Sequence, residues 1–223
     1  QHSRSLFYNN SLSDPLPFGD VESLAMPYEG YLLNFTQEIL NHEKLDGRFS
    51  EPLLLKAGYL KETILFSDLA RPSHWWIPSG RQHYLNNGNL GTPFIQPISA
   101  TQAFGPDLTK LPQTKIEYDP TWLLITKVTD PLDNKIESNR IDYRILQATE
   151  SLDPNGVKSL MAYDTHGMLV AQAIQGINGE GDQLDGFIEL DAELITDQLP
   201  AILADESSYI GNATAFFYYD LFA

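Results

Sequence analysis

Cysteine is absent from the 223 residues, which excludes a disulfide framework, a thiolate metal centre and a thiol nucleophile, and leaves the redox compartment unread. Basic residues are scarce. The 14 Lys and Arg against 30 Asp and Glu give a net charge of −16, whose field opposes binding to nucleic acid and to anionic membrane surfaces. No apolar run approaches the ~20 residues that a spanning helix requires, and the first residues lack the charged-then-apolar pattern of a signal peptide. A water-soluble chain is expected. His42, His74, His83 and His166 stand singly, without HExxH or other ligand spacing, and no Gly-x-Ser-x-Gly elbow presents a serine. Neither a catalytic nor a metal or cofactor site is expected.

What is present is apolar content: 42% hydrophobic and 11% aromatic residues, spread along the chain as in a globular protein rather than a disordered one. A chain of this length can bury roughly 70% of its surface. No linker-like stretch divides it, so residues 1–223 are read as one structural unit. The run from Ala215 to Phe222 ends as a strand without a polar tail, which suggests a fragment of a longer protein.

Patterning predicts a mainly β fold with a few short helices. Arg4–Tyr8 and Tyr28–Phe35 read as strands around the turn-rich stretch Asp14 to Asp20. Thr36 is placed to cap a helix over Gln37–Lys44, and Ser50 one that tolerates Pro52 and ends at Gly58. A further short helix is expected near 192–204. Residues 1–112 form this mixed segment, 113–175 a block of hairpin repeats, and 176–223 an acidic loop, short helix and terminal strand.

In the middle block Tyr118-Asp119, Asp142-Tyr143 and Tyr163-Asp164 alternate with Asp130-Pro131 and Asp153-Pro154-Asn155-Gly156. The tyrosines fall 25 and then 20 residues apart and the Asp-Pro turns 23 apart. Asp-Pro-Asn-Gly suits a tight reversal, because Asp accepts backbone N–H groups, Pro presets φ and Asn-Gly accommodates positive φ. The runs between, Trp122–Thr129, Lys135–Ile141, Arg144–Glu150, Val157–Ala162 and Met168–Ile174, are short and rich in strand formers. Antiparallel hairpins sharing one extended, curved sheet follow.

These Tyr-Asp pairs and Asp-Pro turns resemble RHS/YD repeats. Asp14-Pro-Leu-Pro-Phe-Gly-Asp20 with Ala25 to Glu29, Trp75-Trp76-Ile-Pro-Ser-Gly-Arg81, Asp142-Tyr-Arg-Ile-Leu-Gln147, Gly181-Asp-Gln-Leu-Asp-Gly-Phe187 and Gly211-Asn-Ala-Thr214 with Tyr219-Asp220 resemble the middle region of the B component of bacterial insecticidal Tc toxin complexes. The resemblance implies a non-catalytic segment of an RHS-repeat shell that encloses a toxic effector. It also implies neighbouring repeats of the same or a C-component chain as partners, and an extracellular setting. Leu132-Asp133-Asn134 departs from it by lacking the repeat-turn glycine, and Asp142-Tyr143 reverses the usual order. The alternative is a β-rich module that binds carbohydrate or protein without catalysis.

Asn178, Glu180, Asp182 and Glu189 match the first, third, fifth and twelfth positions of a Ca²⁺ loop, but Gln183 stands where glycine is needed, which favours an acidic surface loop. Asp182, Asp185 and Glu189 could pair as acid and base, yet with 30 acidic residues such spacings arise by chance. Ser79-Gly80 reads as a strand turn. Trp75, Trp76 and Tyr84 could stack on sugars, but adjacent strand residues face opposite ways, so core packing is favoured for one tryptophan and a shell-interior or interface position for the other. Gly179-Glu180-Gly181 is too short and too acidic for a phosphate.

Overall fold

The computed structural model describes residues 2–42, 47–61, 66, 74–85, 95–104, 110–185, 204–205, 210–217 and 219. The chain divides into two compact units, Gln1–Ile116 and Glu117–Ala223.

The first unit contains β1 (Ser3–Phe7), β2 (Pro27–Phe35), helices α1 (Gln37–Leu40) and α2 (Glu51–Lys56), then β3 (Leu60–Lys61), β4 (Trp75–Pro78), β5 (Arg81–Tyr84) and β6 (Pro97–Thr101). Strand β7 (Gln113–Tyr118) begins in this unit and ends in the next. A four-stranded antiparallel sheet is ordered β1-β2-β4-β3, and β5, β6 and β7 pair in succession. Thr36 caps α1 by accepting the Ile39 N–H, as expected. The helix stops at Leu40 rather than Lys44: the Asn41 N–H still closes on the Gln37 carbonyl at 2.9 Å, but the next donor, His42, falls back on Ile39 three residues earlier. Ser50 occupies the N-cap of α2 without a side-chain cap bond. Gly58 follows the helix at φ 87°, the left-handed conformation that a glycine adopts without the Cβ penalty.

Among the described residues, the clustered aromatic core lies in this unit. Leu6, Tyr31, Phe66 and Trp76 form its buried cluster, with Phe18, Tyr28, Leu33 and Leu60 against it. Phe66 meets Trp76 edge-on at 5.1 Å and Tyr31 at 5.5 Å, the geometry that places a positive ring edge on a negative ring face. Arg4 lies buried among them, its guanidinium 4.4 Å from the Phe18 ring centroid, 4.6 Å from Phe66 and 5.1 Å from Trp76. Three ring faces offset part of the cost of taking that cation out of water.

The second unit is a run of strands: β8 (Ile125–Thr129), β9 (Lys135–Asp142), β10 (Gln147–Leu152), β11 (Lys158–Tyr163), β12 (Leu169–Gln175) and β13 (Ala215–Phe216). From β9 onward each is antiparallel to its predecessor. Two expected strands begin later in the chain. Trp122–Leu124 belong to the turn before β8, and Arg144–Leu146 to the turn before β10, because Asp119 and Asp142 draw the following N–H groups onto their carboxylates. Ala171 and Ala173 are fully buried, whereas Ile125, Ile136, Ile174 and Ile177 are exposed. Charged side chains pair across the strands: Lys127 lies 3.4 Å from Glu117 and 3.5 Å from Glu137. All but the last residue of the expected 192–204 helix, and most of the strand expected at Ala215–Phe222 beyond β13, fall outside the described residues.

Candidate functional site

The recurring feature of the second unit is its turns. In the turn Asp130–Asn134, the Asp130 carboxylate accepts the N–H of Leu132 at 2.8 Å and of Asn134 at 2.9 Å, while its carbonyl accepts that of Asp133 at 3.1 Å. Asp153 repeats the set on Asn155, Val157 and Gly156, and Asp164 on His166, Met168 and Gly167. The fourth residue has positive φ each time: 69° at Asp133, 81° at Gly156 and 81° at Gly167. Asp133 therefore takes the place of the missing glycine, aspartate being among the few side chains that tolerate the left-handed region.

The turn at 176–180 reaches the same shape by another route. Gly176 has no carboxylate, and Glu180 reaches back so that Oε2 accepts the Asn178 N–H at 2.8 Å. A Cβ on Gly176 would sit 2.6 Å from Glu180 Oε1, so the glycine is what makes room for that carboxylate.

Antiparallel succession puts alternate turns at opposite ends of the strands. Asp119, Asp142 and Asp164 open the turns of one end, 23 and 22 residues apart, and Asp130, Asp153 and Gly176 those of the other, 23 apart. The aspartates keep this spacing where the tyrosines do not. Neighbouring turns at one end also touch. The Tyr143 hydroxyl donates to Asp119 Oδ2 at 3.1 Å, an arrangement that the reversed Asp142-Tyr143 order permits. A Cβ on Gly167 would lie 3.0 Å from Ile145 Cγ2, and one on Gly156 3.3 Å from Ile177 Cγ1.

Asp119 is the buried member of the series. Burial opposes its ionisation, but hydrogen bonds from the Thr121 hydroxyl and from the backbone N–H groups of Leu124, Thr121 and Leu123 outweigh it and hold its carboxyl well below the usual carboxylate range. The Asp130, Asp142 and Asp153 carboxyls are lowered as well: at Asp130 the first cause is the Asn134 side chain, at Asp142 the Arg144 side chain, and at Asp153 the Val157 N–H. Hydrogen bonds from side chains and main chain alike thus favour the ionised form of these turn carboxylates.

Trp75, Trp76 and Tyr84 are all buried, so they form no exposed stacking surface; both tryptophans are covered within the chain, where one was expected at a shell-interior or interface position, and the Lys61 ammonium lies 5.4 Å from the Trp75 ring. The Ser79 hydroxyl accepts the Gly30 N–H at 2.9 Å and donates to the Gly80 carbonyl at 3.0 Å, a clasp between β2 and the β4–β5 corner. His83 Nε2 lies 2.8 Å from Thr101 Oγ1 across β5 and β6. Burial, and secondarily Arg81, lowers its pKa. His42 is exposed after α1, His74 is half-buried before β4, and His166 sits 4.0 Å from Asp164.

In the acidic loop, Asp182 Oδ2 accepts the Thr214 hydroxyl at 2.5 Å while Thr214 Oγ1 accepts the Ile174 N–H at 3.0 Å. That pair ties the segment after β12 to the approach to β13. Glu180 is engaged in its own turn, Asp185 is exposed, and Glu189 lies outside the described residues. Among the described residues no group of three or more His, Cys, Asp or Glu could hold a metal ion. Asp119 and Tyr143 had not been singled out as partners; the signal was the 23-residue recurrence of aspartate rather than of tyrosine.

No protein-family model and no curated protein matches the chain. Its fold is similar to part of solved Tc toxin structures. Against the crystal structure of TcdB2-TccC3-Cdc42 the TM-score is 0.62 at 17% identity over 78% of this chain. TcdB2-TccC3 gives the same values, and a Photorhabdus luminescens Tc holotoxin pore gives 0.61 at 16% identity over 78%. The chain spans 8% of the length of each of those chains, and what the likeness establishes is a fold shared with a small part of Tc toxin assemblies.

Proposed function

We propose that this chain is a non-catalytic wall segment of an RHS-repeat shell that encloses a toxic effector in an extracellular bacterial insecticidal toxin complex. The observation that carries the reading is the turn series: aspartates recurring every 22 or 23 residues close alternate hairpin ends, and each carboxylate is engaged by its own turn. Hairpins linked this way extend one sheet without limit, which suits a wall. The hydrogen-bonded main chain needs no reactive side chain to separate cargo from solvent, because exclusion follows from closed backbone pairing.

Its partners are then the neighbouring repeats of the same or a C-component chain, together with the enclosed cargo. The likeness to a portion of TcdB2-TccC3 supports this reading. The test is to co-express the full-length protein that carries this segment with a C component and its effector, and to digest the complex with protease. Protection of the effector, unchanged by alanine at single exposed polar residues here, is the expected result. An effector digested as fast as in the free state, or one such alanine that abolishes toxicity while fold and assembly persist, would overturn it.

A further inference from the structure

Two described turns carry the Asn-Gly dipeptide, Asn155-Gly156 and Asn178-Gly179, and their surroundings differ. In an Asn-Gly step the glycine main-chain nitrogen attacks the asparagine side-chain carbonyl. A C–N bond forms, ammonia leaves, and water then opens the cyclic imide to aspartate or isoaspartate. The reaction needs the asparagine side chain to swing toward the next nitrogen, and it needs space and water around that nitrogen. Glycine at the second position is permissive because it carries no Cβ to obstruct the approach.

Both turns hold the attacking nitrogen similarly: the Gly156 N–H donates to the Asp153 carbonyl at 3.0 Å and the Gly179 N–H to the Gly176 carbonyl at 3.0 Å. The main-chain N–H of each asparagine is also bound, at 2.8 Å, by Asp153 Oδ1 or by Glu180 Oε2. The difference lies in the side chain and its flank. Asn155 Nδ2 donates to Asp153 Oδ2 at 3.3 Å, which aims the carboxamide back into its own turn, and Ile177 lies over Gly156 at 3.3 Å from where a Cβ would stand. At the other step Asn178 is exposed, and the same construction on Gly179 meets nothing within 4 Å among the described residues.

We infer that Asn178 is a site of spontaneous deamidation, converting ahead of Asn155 in the folded chain because no described residue tethers its carboxamide or covers its glycine. Conversion adds a negative charge beside Glu180, and the isoaspartate form inserts a methylene into a five-residue turn whose closure depends on the Asn178 N–H to Glu180 bond. Deamidation would thus loosen the hairpin end that covers Gly156. This holds whether or not the chain is a shell segment.

The experiment is to age the purified full-length chain at mildly alkaline pH and follow both peptides by mass spectrometry with isoaspartate-specific fragmentation, natively and in denaturant. A tether of ordinary hydrogen-bond strength corresponds to roughly fivefold in rate, so Asn178 should convert at least roughly fivefold faster than Asn155 in the native chain. In denaturant the two rates should converge, and both should rise, since the glycine N–H bonds are gone. Equal native rates, a faster Asn155, or a ratio that persists in denaturant would overturn the inference. The Asn178→Gln variant should lose the fast conversion and keep the slow one at Asn155.

Discussion

Asp119 concentrates the physics of this chain in one side chain. It is buried and accepts the N–H groups of Thr121, Leu123 and Leu124 along with the Thr121 and Tyr143 hydroxyls. Alanine there would remove the acceptor of several half-buried or exposed donors, at about 1 kcal/mol net for each hydrogen bond lost. A loss of about 1–3 kcal/mol is therefore expected in urea unfolding. The carboxyl titrates lower in the fold than in the unfolded chain, so its contribution is complete above the ordinary aspartate range and declines as pH falls through and below about 4. Urea midpoints measured down the acid limb should drop, and Asp119→Asn should flatten that drop. His83 acts with the same sign: its folded pKa is lowered, so stability falls as pH decreases below its unfolded value of about 6.5. His83→Gln should remove that component from the same titration.

At the scale of elements, the turns test how interchangeable their fourth residue is. Asp133 holds φ 69° with a side chain, a conformation that costs an L-residue about 1–2 kcal/mol. Asp133→Gly should stabilise the β8–β9 hairpin by up to about 1 kcal/mol once the greater flexibility of glycine in the unfolded chain is counted. Gly156→Ala should do the reverse, combining the left-handed penalty with a Cβ set 3.3 Å from Ile177; thermal unfolding of the two variants should shift in opposite directions. Much of this layer was legible beforehand. Aspartate at a turn start, glycine three residues later and β-branched runs between are local signals, and β9, β11 and β12 were anticipated to within a residue or two. The strands containing Trp122 and Arg144 were misplaced, because propensity favours extending a strand through Trp or Ile, while the Asp119 and Asp142 carboxylates capture the N–H groups that a ladder would have used.

Across the whole molecule, the described apolar core belongs to the first unit, and Trp76 is its largest fully buried side chain. Trp76→Ala should cost about 3–5 kcal/mol, visible as a large fall in the urea midpoint, whereas removing exposed Ile136 should scarcely move it. Composition alone determined that the chain is globular, acidic and without thiol chemistry, and periodicity determined that it is mainly β with reversals at Asp-Pro turns. These are properties of residues and their near neighbours. Only the tertiary structure decided that Trp75, Trp76 and Tyr84 are all buried, that Arg4 lies among three aromatic rings, that Tyr143 reaches Asp119, and that Ile177 covers Gly156 while Gly179 stays open. Each of those depends on a contact between segments distant in sequence, and the free energy of such a contact is set by who is nearby in space, which no local pattern of residues encodes.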